Sequence, residues 1–122
     1  MTSREQVERF IRSSFRSVWS LEVLLLLKRA PRSWTSDELV ASLRASELLV
    51  SQSLAALSDA GLVVTDAAGA AEYRPSNEAA GALVDAAERL YGQSPDAVRR
   101  LILGSPSSGL AAFADAFRLR KD

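Results

Sequence analysis

The stretch "SELLVSQSLAALSDAGLVV", Ser46 to Val64, sets the reading of the whole chain. Ser46 is a strong N-cap residue, so a helix begins behind it and runs to about Ala60. At a helical step of about 100° per residue, Val50, Ser53, Leu54 and Leu57 share an inward face, flanked by Leu49 and Ala60. The opposite face carries Leu48, Ser51, Gln52, Ala55 and Asp59. Gly61 then fits the left-handed position that ends a helix, and the residues after it alternate like a strand. The helical part holds no Lys or Arg.

Upstream, "TSDELVASLRA" opens with a capping box, in which Thr35 and Glu38 satisfy each other's backbone amides. Asp37 and Glu38 also suit the positive end of a helix dipole, which explains both without a catalytic role. Arg44, Ala45 and Ser46 form the turn into the next helix. Before Thr35, "SLEVLLLLKRAPRSW" predicts a helix from near Ser20 that stops before Pro31, because proline disfavours helical geometry in the residue ahead of it. Its apolar residues occupy nearly every face, the mark of a central buried helix, and Trp34 is expected to plug the core from the connection. Val7, Phe10, Ile11, Ser14, Phe15 and Val18 predict a first amphipathic helix, with Arg9, Arg12 and Arg16 as a stripe on its other side. Such a stripe is either a solvated face or a contact for phosphate or an acidic partner.

Downstream, "LVVTDAAGAAEYRP" predicts a short hairpin: Leu62 to Thr65, a loop from Asp66 to Ala71, then Glu72 to Arg74. Pro75 and Ser76 end the strand and cap a helix from about Asn77 to Tyr91. Ser94–Pro95–Asp96 starts another helix, which ends at Gly104. Leu110, Phe113, Ala114 and Phe117 mark a last amphipathic helix before the basic tail "RLRKD".

With 122 residues, 48% hydrophobic and 25% charged, the chain fits a single domain over 1–122 with an adequate core. The longest apolar run, Val23 to Leu27, is far too short to span a membrane, and "MTSREQVERF" lacks the apolar region of a secretory signal. The Ala-, Leu- and Arg-rich composition suits a bacterial protein, and a cytoplasmic location is expected. Having neither Cys nor His, the chain lacks thiolates, the commonest metal ligand and the usual general base near neutral pH. Its glycines are scattered rather than gathered in a phosphate loop. These features argue against an enzyme, a metal site or a cofactor. Net charge is zero but uneven: residues 1–35 carry +4, residues 36–96 carry −7 and residues 97–122 carry +3.

The order of helices, turn, glycine and hairpin, carried by "TSDELVASLRASELLVSQSLAALSDAGLVV" followed by "AEYRPS", resembles the winged helix–turn–helix transcription regulators. The layout is similar to small bacterial regulators of the multiple-antibiotic-resistance type. The resemblance covers residues 20–76, flanked by 1–19 and 77–122. It implies a mainly α fold with a small β-hairpin wing, and a winged helix–turn–helix core between N- and C-terminal helices. It also implies a homodimer, with Arg4 to Val18 and Ser94 to Lys121 as candidate dimerisation helices. Double-stranded DNA would be the partner, with Glu47 to Ala60 in the major groove and the loop Asp66 to Ala71 on the backbone. The DNA-binding candidates are Arg44, Ser46, Ser51, Gln52 and Arg74, Gln52 being able to pair with adenine in bidentate fashion.

The charges pull against that implication. Arg44 and Arg74 are the basic groups near the helix, whereas established DNA binders make roughly 6–10 phosphate contacts. Asp59 and Asp66 add repulsion. Two alternatives therefore stand. DNA could meet a basic patch of Arg9, Arg12, Arg16, Arg99 and Arg100, joined by Arg118, Arg120 and Lys121. Or the winged helix could be a protein-interaction module, with Leu48, Ala55 and Asp59 facing a basic surface of the transcription machinery. A small effector lined by Trp19, Trp34 and Tyr91 is a further option, although aromatics at helical spacing more often belong to the core.

Overall fold

The computed structural model describes residues 3–104. The expected helix around Leu110 to Phe117 and the basic groups Arg118, Arg120 and Lys121 lie outside the described residues.

The described chain is mainly helical with one small antiparallel hairpin. Helix α1, Arg4–Ser14, opens with a capping box between Ser3 and Gln6 and buries Val7 and Ile11. It stops sooner than the apolar spacing predicts. Phe15 turns to extended backbone (φ −110°, ψ 111°), and Ser17 caps the next helix through a second box with Ser20. Val18 is therefore the first residue of α2, Val18–Arg29, and Arg16 sits in the connection rather than on a helical stripe. The apolar stripe runs on unbroken past Phe15 because both helices pack into one core, so periodicity alone could not locate the break.

Helix α2 is the central helix, with Leu21, Val23, Leu24, Leu25 and Leu27 all buried. Helix α3, Ser36–Leu43, begins with the Thr35–Glu38 capping box, in which the Glu38 amide donates to Thr35 Oγ1 at 3.1 Å and the Thr35 amide to Glu38 Oε1 at 2.9 Å. It ends on Arg44 in left-handed conformation (φ 53°), which bends the chain sharply into α4, Glu47–Asp59. Ser46 caps α4 by accepting from the Leu49 amide. Helix α4 packs against α2 and α3 through Val50, Ser53, Leu54 and Leu57. Ala56 completes that buried face, and Ala60, expected at its edge, is exposed.

Gly61 leaves α4 with φ +75° and leads into β1, Val63–Thr65. Strand β2, Ala71–Tyr73, pairs with it in the register Val63↔Tyr73, Val64↔Glu72 and Thr65↔Ala71. At the tip, the Asp66 side chain accepts from the amides of Ala68 and Ala70, and Gly69 takes φ +88°. Trp34 adds a bridge on the other side of β2, exchanging backbone hydrogen bonds with Ala71 at 2.8 and 2.7 Å. Its buried indole donates to the Ala30 carbonyl, and the Arg32 guanidinium lies 3.7 Å from the ring centre.

Helix α5, Glu78–Gln93, is capped by Asn77, not by Ser76 as the sequence suggests. Ser76 instead donates from its hydroxyl and its amide to the Gly61 carbonyl. Helix α6, Pro95–Leu103, starts on its proline and ends at Gly104. Helix α1 packs on α5 and α6, which also pack on each other, so the first and last described helices meet over the core.

Candidate functional site

The face of α4 turned away from the core is the one the sequence assigns: Leu48, Ser51, Gln52, Ala55 and Asp59 are all exposed. Leu48 is 66% exposed, the largest value among the exposed large hydrophobic residues. Ser46 spends its hydroxyl on the helix cap, which fixes the start of this face, and Arg44 sits just ahead of it. The exposed Arg44 makes no ion pair among the described residues.

The hairpin contributes less charge than expected. Arg74 is held at 3.0 Å by Glu72, its neighbour but one on the same strand end. The tip bears Asp66, whose carboxylate is folded back onto its own loop amides.

Beside α4, a cation arrives from elsewhere in the chain. The connection between α1 and α2 carries Arg16 to a cleft of about 380 Å³, shared with Ser17, Ser20, Leu49, Gln52 and Ser53. Arg16 is exposed and makes no ion pair among the described residues. The exposed face of α4 is therefore flanked by two arginines, Arg44 from the preceding turn and Arg16 from across the cleft. No local pattern in the sequence announces the second, because Arg16 meets α4 only through tertiary packing.

The other basic candidates line two grooves or are held by acids. Arg9 is paired with Glu5 at 3.3 Å, and Arg12 with Glu8 at 3.7 Å, both along α1. Arg12 and Arg100 share a groove of about 280 Å³ between α1 and α6, with Arg4 and Glu8. Arg9 lines a separate groove against α5, with Phe10 and Leu83. Arg99 is held by Asp96 at 3.0 Å and lies 5.7 Å from the Tyr91 ring centre.

The basic first third of the chain meets the acidic middle internally. Lys28 contacts Glu88 at 2.6 Å and Asp85 at 3.2 Å, Arg29 reaches Glu88 at 3.0 Å, and Arg32 reaches Glu38 at 3.2 Å. These pairs explain the perturbed carboxylates. The hydrogen bond from Lys28 holds Glu88 below its ordinary value, and the backbone bond at Thr35, then Arg32, does the same for Glu38. Burial raises the Tyr91 phenol, helped by its hydrogen bond to Glu22 at 2.6 Å. The three aromatics weighed as an effector lining are thus committed separately. Trp34 lies under the hairpin, Tyr91 bonds to α2, and Trp19 stands partly exposed near the start of α2. Among the described residues, no group of three or more acidic or other ligand side chains is placed to hold a metal ion. No helix among them is long and apolar enough to cross a membrane.

No family model, no curated protein and no solved structure matches this chain.

Proposed function

We propose that the chain is a DNA-binding transcriptional regulator of winged helix–turn–helix type, acting as a homodimer, with α4 as the helix presented to the major groove. The observation that carries this reading is the α4 face: Ser51 and Gln52 are exposed, α3 and α4 meet at a sharp turn, and Arg44 and Arg16 flank the face without ion pairs among the described residues. Ser51 and Gln52 are the base-edge readers, and the two arginines are phosphate contacts. The hairpin, with Arg74 tied to Glu72, plays the smaller part.

The test is fluorescence anisotropy with a random-sequence duplex pool at about 50 and 200 mM salt. Binding at the lower salt that falls steeply at the higher, and weakens on Gln52→Ala and Arg44→Gln, supports the reading. Absence of binding at both salts sinks it.

Leu48 favours a second reading, because a two-thirds exposed leucine stands on the same face as Ala55 and Asp59. There α4 docks a basic protein surface of the transcription machinery instead of DNA. Leu48→Arg would then abolish partner capture and leave the fold intact. A variant that captures the same proteins as wild type removes this reading.

A further inference from the structure

The cleft between the α1–α2 connection and α4 has a composition that the proposed function does not by itself require. Its polar lining is one guanidinium, three hydroxyls and one amide, from Arg16, Ser17, Ser20, Ser53 and Gln52, with no carboxylate among its lining residues. Each arginine of α1 (Arg4, Arg9 and Arg12) faces a glutamate on the same helix. Arg16 has no such partner among the described residues.

Ser53 supplies an independent observation. It is 3% exposed, yet its hydroxyl makes no hydrogen bond among the described residues. No fully enclosed side-chain polar atom among those residues lacks a partner, so the Ser53 hydroxyl must reach open space. The open space it borders is this cleft. A hydroxyl that opens onto a cleft and is not spent on the protein can exchange its hydration for a ligand oxygen. Ser20, by contrast, spends its hydroxyl on the Ser17 carbonyl at 2.6 Å. The first amides of α2 add to the positive field at the same end, since a helix N-terminus carries partial positive charge.

We propose that this cleft is a phosphate subsite that takes a backbone phosphate of the duplex beside α4, with Arg16 as the cation and the Ser53 hydroxyl as a donor. The inference rests on the DNA-binding reading and deepens it: the phosphate contact that α4 lacks in its own sequence is delivered by a residue some thirty positions upstream. Its geometry follows from the lining, because Gln52 and Ala55 border the cleft and also stand on the exposed face of α4. A base edge read by Gln52 and a phosphate held by Arg16 therefore fall on one side of the same helix. The volume of about 380 Å³ leaves room for a phosphodiester rather than only a bare ion.

The experiment titrates a labelled duplex with wild type, Arg16→Gln, Ser53→Ala and a control, Arg89→Gln, at about 50 and 200 mM salt. Arg89 is exposed on α5 and lines none of the grooves described above. Arg16→Gln is expected to lower affinity on the order of tenfold at the lower salt, as loss of a charged hydrogen bond does. It should also reduce the slope of log K against log salt by about 0.9, equally on unrelated sequences. Ser53→Ala should weaken binding by less and leave that slope unchanged, since no charge is removed. Amide chemical shifts of Val18, Trp19 and Ser20 should move when wild type is given duplex and stay in place for Arg16→Gln.

If wild type holds the duplex and Arg16→Gln behaves like Arg89→Gln, the subsite is overturned while the regulator reading stands. Should wild type hold no duplex, both fall together. If inorganic phosphate moves those amides and duplex does not, the cleft takes a free phosphate and the backbone assignment is overturned.

Discussion

The two ends of α2 treat positive charge in opposite ways. At its C-terminal end, Lys28 and Arg29 are both engaged by Glu88 from α5, and Asp85 reaches Lys28 as well. At the N-terminal end, Arg16 stands beside α4 with no acid against it among the described residues. The sequence assigns all three to one basic segment. In the fold, two of them stitch helices together and one is left to face outward. A count of charges along a chain therefore measures composition, not the potential a partner meets, because burial and pairing decide which charges remain available.

That contrast can be broken or sharpened, and the middle of α2 sets the scale. Leu24 is fully buried, so Leu24→Ala should destabilise the protein by about 3 kcal/mol, within the usual 2–5 for leucine truncation. Urea unfolding should show a lower midpoint with an unchanged slope. A much smaller loss would mean that the core around α2 collapses easily around the missing side chain.

Next in size is Glu88→Gln at the paired end. The side chains of Lys28 and Glu88 are 23% and 24% exposed, so the change removes a charge from a half-sheltered network and should cost about 1–2 kcal/mol. If it costs no more than a surface substitution, the two ends of α2 do not differ in how firmly they hold positive charge.

The same pair predicts a pH response at both extremes. Glu88 is held below the ordinary 4.5, first by the Lys28 hydrogen bond, so its contribution is present above 4.5 and is lost as pH falls through its folded value. Lys28 is raised above 10.5, first by the Glu88 hydrogen bond, so its contribution is present below 10.5 and is lost as pH rises through its folded value. Melting temperature followed against pH should show a shallower acid decline in Glu88→Gln than in wild type.

The smallest effect on stability belongs to Arg16→Gln, expected within about 0.5 kcal/mol of wild type because no hydrogen bond or ion pair within the described residues is lost. A larger loss would show that Arg16 has a structural partner and would remove it as a free cation.

What could be read from the sequence follows the range of the interactions. The Thr35–Glu38 box, the Ser46 cap, the left-handed Gly61 and Pro95 at a helix start are local chemistry, and each stands where its residue type implies. The exposed face of α4 was legible for the same reason, since a helical period needs only its own residues. The break at Phe15 is signalled by Ser17 and Ser20, but an uninterrupted apolar stripe masks this second capping box. Ser76 has the residue type of a cap, but its hydroxyl donates to Gly61, fifteen residues away, and no local pattern shows that. The Trp34–Ala71 bridge, the Lys28–Glu88 pair and the Arg16 cleft join residues that are far apart in sequence, and no local pattern announces them.

The clasp at the root of the hairpin has a consequence for how such a chain can vary. The Gly61 carbonyl takes both Ser76 donors, and the Leu62 carbonyl takes the Arg74 amide, so the segment between them leaves and re-enters the fold through one closed gate. Lengthening a loop beyond a closed gate costs little, as closure entropy grows only slowly with length. The stretch from Asp66 to Ala70 is thus free to lengthen or shorten across descendants of this sequence without disturbing α4. Gly61 has no such latitude: its backbone is left-handed, and any side chain there would collide with the Ser76 hydroxyl. Variation should gather at the tip and stop at the gate.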